Sequence, residues 1–204
     1  VIVVVDYGMG NLKSISKALE HVGFKVKVSS EVQDVKSSNA IVLPGVGAFK
    51  DAVRNLKRLG LWEVIREEVL EKKKFILGIC LGFQMFFEKS TEFGEEKGFS
   101  FLKGTALRFP ERNCKVPHIG WNRVYPVKDS ALLEGLSGEY FYFVHSYYLP
   151  ENSEGACAYT EYCGIRFTSC VEKGNILGVQ FHPEKSQKSG LKVLENFKRI
   201  LAVL

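Results

Sequence analysis

Phe75-Ile76-Leu77-Gly78-Ile79-Cys80-Leu81-Gly82 carries an apolar run directly into a cysteine flanked by glycines, each two residues away. The run to Ile79 predicts a buried strand, and the amphipathic stretch beyond it predicts a helix. Cys80 therefore falls at a strand-to-helix junction. A sharp elbow there leaves room for little beyond glycine at the flanking positions and pushes the central side chain out of the sheet. The same alternation recurs upstream. Val1-Ile2-Val3-Val4-Val5 is a continuous β-branched run, the mark of a parallel strand covered on both faces. Leu12, Ile15, Leu19 and Val22 follow at helical spacing, with Gly23 placed to end the helix. Residues 24–28 alternate like a more exposed strand, and 40–43 predict a third strand stopped by Pro44-Gly45. Residues 51–73 predict two helices broken near Gly60. Such βαβ repetition predicts an open, flavodoxin-like α/β fold: a mainly parallel central sheet with helices on both faces.

From about Gly104 the texture changes to short strands without long helices between them, predicted at 105–109, 122–127, 140–148, 156–162 and 164–171. Glu172-Lys173-Gly174-Asn175 reads as a hairpin turn into a strand at 176–181. This block predicts an antiparallel extension of the sheet, closed by an amphipathic helix with Leu191, Leu194, Phe197, Ile200 and Leu201 on one face. No repeat or linker interrupts the chain, so residues 1–204 read as a single domain.

Composition narrows the function classes. A chain 46% hydrophobic and 25% charged is that of a soluble globular protein with a sizeable core. No apolar run approaches the roughly 18–20 residues of a membrane span. The opening valine-rich run is too short for a signal-peptide core and lacks a basic lead-in. The formal charge of +5 comes from scattered lysines without interleaved aromatics, which argues against a nucleic-acid partner. Five cysteines at irregular spacings, with no CxxC pair, form neither a zinc signature nor a disulfide framework. A reduced, cytoplasmic setting is expected, with Cys114, Cys157, Cys163 and Cys170 as small apolar fillers. Gly8-Met9-Gly10-Asn11 lacks the third glycine of a dinucleotide fingerprint, because Lys13 stands there, and residues 26–28 offer no acid for a ribose. No cofactor and no metal are expected.

His182-Pro183-Glu184 follows the last predicted strand. Proline biases the preceding histidine toward extended geometry, where side chains two apart project to the same side. Glu184 is then placed to touch one imidazole nitrogen while the other faces a thiol. Cys80, His182 and Glu184 supply a nucleophile, a base and a carboxylate that orients the base. The helix after Cys80 is expected to aim its amides at the sulfur and favour the thiolate. Both segments begin where a strand ends, which is where open α/β sheets hold their sites. In Pro44-Gly45-Val46-Gly47 the glycines allow backbone amides to point at a developing oxyanion, alongside the amide of Leu81. The competing account is a flavodoxin-like binding module, with a buried cysteine in a tight turn and a solvated histidine.

Gly-Ile-Cys-Leu-Gly-Phe-Gln (78–84) with His-Pro-Glu (182–184) resembles the class I, or triad-type, glutamine amidotransferases. Pro117-His118-Ile119-Gly120-Trp121-Asn122 and Tyr142-Phe143-Val144-His145-Ser146-Tyr147 are similar to the glutaminase subunits of imidazole glycerol phosphate synthase. Residues 6–11 and 44–49 agree with them. The resemblance implies that Cys80 attacks the glutamine side-chain amide, that His182 carries the proton to ammonia, and that Glu184 orients His182. It implies that Gln84, Glu92 and the backbone around Ser146 and Tyr147 hold L-glutamine, and that Gly45, Val46 and Gly47 form an oxyanion strand with Leu81. It further implies a (βα)8-barrel cyclase subunit as partner, with Asn11, Trp121, Tyr142 and Lys185 near it. The cyclase would use the ammonia to make imidazole glycerol phosphate and aminoimidazole carboxamide ribotide in histidine biosynthesis. The runner-up is the glutaminase of anthranilate, carbamoyl phosphate or nucleotide synthesis. One departure is Phe83, where methionine or histidine is usual; only a packing change is expected from it.

Overall fold

In the computed structural model, which describes residues 1–203, the first half follows the βαβ pattern. Strands β1 (Ile2–Val5), β2 (Val26–Ser29), β3 (Ala40–Leu43) and β4 (Phe75–Ile79) are separated by α1 (Leu12–His21), α2 (Val32–Ser37), α3 (Phe49–Arg58) and α4 (Leu61–Leu70). A single turn, α5 (Leu81–Gln84), follows β4. Then come β5 (Lys89–Ser90), β6 (Glu96–Lys97), β7 (Thr105–Arg108), β8 (His118–Pro126), β9 (Glu139–His145) and β10 (Tyr147–Pro150). The chain ends with β11 (Ala156–Tyr162), β12 (Ile165–Lys173), β13 (Ile176–Val179) and α6 (Gln187–Ala202).

The central sheet runs β2-β1-β3-β4-β13 in parallel, and β12 adds antiparallel to β13. Alternate residues of the central strands feed opposite cores, as a twofold side-chain period requires. Val3, Val5, Ile41, Leu43 and Ile76 pack with Val35, Val53, Leu56 and Ile65 of α2, α3 and α4. Ile2, Val4, Val42, Leu77 and Ile79 pack with Ile15 and Leu19 of α1 and with Val193, Leu194 and Phe197 of α6. Helices therefore cover both faces, and β4 and β13 lie side by side at the middle. Beyond β12 the antiparallel extension divides. One branch continues through β10 and β7 to β5 and β6, and the other runs through β11 to the long β8–β9 ribbon.

Three expectations change. The strand predicted at 140–148 is broken at Ser146 into β9, which pairs with β8, and β10, which pairs with β12 and β7. No glycine or proline marks that switch. Helix α2 was not anticipated: it is six residues long and buries only Val35, too little to show a period. The cysteine reading is corrected as well. Cys114 and Cys163 are joined in a disulfide, with Cα atoms 5.6 Å apart, so only Cys157 and Cys170 are buried fillers. The bond ties the loop before β8 to the tight turn between β11 and β12. It arises because β11 pairs with β8, a contact that cysteine spacing does not reveal.

Candidate active site

Cys80 sits at the C-terminal end of β4 with φ 56° and ψ −110°, a backbone conformation that L-residues adopt only when the surroundings hold it. The flanking glycines are there for space. A Cβ at Gly82 would lie 1.9 Å from the Leu43 carbonyl oxygen, and one at Gly78 would lie 2.5 Å from the Phe86 ring. The elbow is thus pressed against β3 and turns the thiol away from the strand. Sγ lies 3.7 Å from the Val144 carbonyl oxygen and 3.7 Å from the Gln180 side-chain nitrogen. The helix expected to aim at the sulfur is corrected to the single turn α5, whose dipole is correspondingly small. Phe83 in that turn is fully buried and stacks edge-on against Phe87, a packing role as expected.

His182 follows β13, the parallel neighbour of β4, so it arrives beside the elbow. Its N–H donates to the Tyr142 carbonyl at 2.9 Å, and Ser186 Oγ donates to its carbonyl at 2.6 Å. Ser186 Oγ also accepts the Tyr142 N–H at 3.0 Å, which pins the turn to β9. Nδ1 lies 3.1 and 3.3 Å from the two Glu184 carboxylate oxygens. Nε2 is buried without a well-formed hydrogen bond, on the side of the Cys80 sulfur. Burial disfavours the imidazolium, yet the Cys80 sulfur and then Glu184 outweigh it and raise His182 to about 10. With Nδ1–H held by the carboxylate, Nε2 is the atom left for proton exchange with the thiol.

A cavity of about 360 Å³ opens above the sulfur. Of the residues singled out from sequence, Val46, Gly47, Cys80, Leu81, Gln84, Glu92, Ser146 and Tyr147 line it. Burial raises the Glu92 carboxyl above the usual carboxylate range, against the pull of the Phe49 backbone N–H and Arg108. The Leu81 N–H is already taken, donating to the Gly45 carbonyl at 3.2 Å, so the expected pair of oxyanion donors is not open in this structure. A separate small void of about 20 Å³ is lined by Gly10, Asn11, Gly45, His182, Glu184 and Lys185, among others. Asn11 also caps α1 by accepting the Ser14 N–H at 3.3 Å. Lys185 Nζ stands 5.9 Å from the centre of the Tyr142 ring, which meets Trp121 edge-on at 6.1 Å. Trp121 is 47% exposed, with Ile119 and Tyr140 also exposed on the β8–β9 ribbon, so it is not a core residue.

Sequence reasoning missed Arg108, Pro117 and His145 as cavity-lining residues, and Gln180 beneath the sulfur. Gln180 had a signal, being the one polar side chain in the apolar run Ile176–Phe181. Arg108 had none. Among the described residues no cluster of His, Cys, Asp or Glu could hold a metal ion.

The sequence profile of glutamine amidotransferase class-I matches residues 3–200. Solved structures share the fold: a protein described as a glutamine amidotransferase aligns with TM-score 0.76 at 19% identity over 99% of both chains. PurLQS from Thermotoga maritima aligns with TM-score 0.72 at 21% identity over 98% of both chains. The chain belongs to the class-I glutamine amidotransferases, and it is an enzyme of that family. It is 54% identical over 200 residues to the imidazole glycerol phosphate synthase subunit HisH of Aquifex aeolicus (strain VF5), covering 97% of this chain and 95% of that protein. It is 48% identical to the protein of the same name from Archaeoglobus fulgidus, covering 98% of each. Within the amidotransferases, it therefore belongs with the imidazole glycerol phosphate synthase glutaminase subunits.

Proposed function

We propose that this chain, a single amidotransferase domain, hydrolyses L-glutamine through a γ-glutamyl thioester on Cys80. The ammonia then passes to a (βα)8-barrel cyclase subunit, which makes imidazole glycerol phosphate and aminoimidazole carboxamide ribotide in histidine biosynthesis. The observation that carries the reading is Cys80, backed by the His182–Glu184 pair, opening on a cavity with a carboxylate, Glu92, and a cation, Arg108, in its wall. Those two charges complement the α-ammonium and α-carboxylate of an amino acid. The Cys80 sulfur attacks the side-chain amide carbon, and electrons move onto the carbonyl oxygen. His182 then gives its proton to the departing nitrogen, the C–N bond breaks, and ammonia leaves with the thioester in place. A water deprotonated by His182 cleaves the thioester and releases glutamate.

The Gly45 carbonyl bonded to the Leu81 N–H supports a resting enzyme whose rate is held down. Turning the Gly45–Val46 peptide would free that amide and add its neighbour. A single oxyanion donor is typically worth about 100–1,000-fold in rate. The void beside His182 and Lys185 supports an exit for ammonia separate from the cavity. A space of roughly 10–15 Å³ suffices for a water-sized molecule, and ammonia is no larger. The exposed Ile119, Trp121 and Tyr140 support the β8–β9 ribbon as the docking face for the cyclase.

No helix among the described residues is long and apolar enough to cross a membrane. We place the enzyme in the cytoplasm with its pathway. The Cys114–Cys163 disulfide runs against the reduced setting expected from the cysteine spacings. The relatives do not favour the runner-up acceptors. The test is glutaminase activity of the chain alone and with the cyclase subunit loaded with its nucleotide substrate. Low activity alone and a rise of about 100-fold or more in the complex is expected. High activity in the isolated chain, unmoved by the cyclase, would overturn the proposal.

A further inference from the structure

Gln180 is completely buried between β13 and His182, and its amide touches both the reactive sulfur and a residue of the substrate cavity. The directions of these bonds follow from one backbone carbonyl. The Tyr147 oxygen can only accept, so Gln84 turns its nitrogen toward it, at 3.1 Å. The same nitrogen lies 3.0 Å from the nearer end of the Gln180 amide, which must therefore be the oxygen. The other end of Gln180 is then its NH2 group, 3.7 Å from Cys80 Sγ. Reversing Gln180 would set N–H against N–H at Gln84 and oxygen against sulfur.

The carbonyl that sets this order is itself held from a second side. His145 Nδ1–H donates to Tyr147 O at 2.8 Å, which leaves His145 Nε2 to accept from His118 Nδ1–H at 2.9 Å. His118 Nε2 in turn accepts from Asn122 at 3.3 Å. This run needs both rings neutral. Burial depresses His118 to about 4 and His145 to about 3, which keeps them so across the neutral range.

The sulfur lies between two unlike neighbours. The Val144 carbonyl accepts from the thiol but repels a thiolate. Gln180 N–H does the reverse, because a hydrogen bond to an ionised acceptor is roughly twice as strong as a neutral one. We propose that Gln180 is a further catalytic group, donating to the Cys80 sulfur and steadying it as the thiolate forms. This rests on the reading of Cys80 as the nucleophile.

The test pairs Gln180→Met, which keeps the length and removes the donor, with Gln180→Glu, which sets an acceptor on the sulfur. In the full chain, the rate of Cys80 alkylation by iodoacetamide is followed against pH, with the adduct located by mass spectrometry. In the complex with the cyclase subunit, kcat and KM for glutamine are measured. Both variants should move the alkylation profile to higher pH, Gln180→Glu further. They should lower kcat by about 10–100-fold, the usual scale of a hydrogen bond to a charged group, while KM changes far less. Profiles that superimpose on the unsubstituted chain, with kcat within about twofold of it, would reduce Gln180 to a packing role and overturn the inference. Where the variants do not fold, the Gln180 side-chain amide signal in the unsubstituted chain decides. A signal that moves when Cys80 is alkylated supports the contact, and an indifferent one refutes it. Alkylation needs no glutamine. A shifted profile in a chain that never hydrolyses glutamine would sink the proposed function and leave only the Gln180–thiolate contact standing, whereas an unshifted profile in an active enzyme would sink the inference alone.

Discussion

Cys80→Ala should release His182 from its elevated state, and the size of the effect follows from the surroundings of the ring. Burial pulls His182 downward, while the sulfur and Glu184 together lift it from 6.5 to about 10. That displacement corresponds to about 5 kcal/mol of preference for the charged ring, at about 1.4 kcal/mol per tenfold. Among the lifting causes the Cys80 charge and hydrogen bond come ahead of Glu184, so removing the sulfur leaves one carboxylate against nearly complete burial. The ring should then titrate well below its value in the unsubstituted chain. Because the folded-state value lies above the unfolded one, the His182 contribution to stability is whole below pH 6.5 and is lost as pH climbs through about 10. The assay is an NMR titration of ring carbons in the unsubstituted chain and the variant. Of the four histidines, His118 and His145 titrate far on the acid side, and replacing His21 by glutamine in both proteins leaves His182 as the one remaining signal. A His182 that titrates near 6.5 in both proteins would show that no thiolate–imidazolium pair forms, and the reasoning would fall.

Arg108→Met should raise KM for glutamine by about 10–100-fold with little change in kcat, because it removes uniform binding of the substrate carboxylate; steady-state kinetics in the complex would show it. Reducing the Cys114–Cys163 bond, which spans 49 positions, should lower the unfolding free energy by about 4 kcal/mol in urea melts, with the far-UV spectrum of the folded chain unchanged. The buried histidine pair should make the fold acid-sensitive. Its folded-state values lie below 6.5, so its contribution is whole above that pH and is lost as pH falls toward 4 and 3. From pH 7 to 5 each ring should cost on the order of 2 kcal/mol, and a variant with both replaced by glutamine should show a flatter dependence in urea melts.

Much of the site was legible because its parts are local. Gly78, Cys80 and Gly82 report a tight elbow within a few residues; His182 and Glu184 were read as extended, and His182 is, but a 3-10 turn over Pro183–Lys185 carries Glu184 back to the ring. The rule that sites lie at the C-terminal ends of strands linked the two segments, while the pairing of β4 with β13 that brings them side by side came only from the structure. What stayed hidden depends on long-range packing. Arg108 reaches the cavity because β7 pairs with β10, and the disulfide exists because β11 pairs with β8. The break at Ser146 carries no turn residue. The bond from Leu81 N–H to the Gly45 carbonyl is the orientation of a single peptide, which glycine permits but does not choose.

The central claim is that the Cys80 sulfur forms the covalent bond to the glutamine side chain. The most direct measurement is a peptide map by mass spectrometry after exposing the chain, in complex with the cyclase subunit, to a diazo-ketone analogue of glutamine. A single adduct on the peptide carrying Cys80, prevented by excess glutamine, is the predicted result. No adduct, or one on Cys157 or Cys170 that glutamine does not prevent, would contradict it.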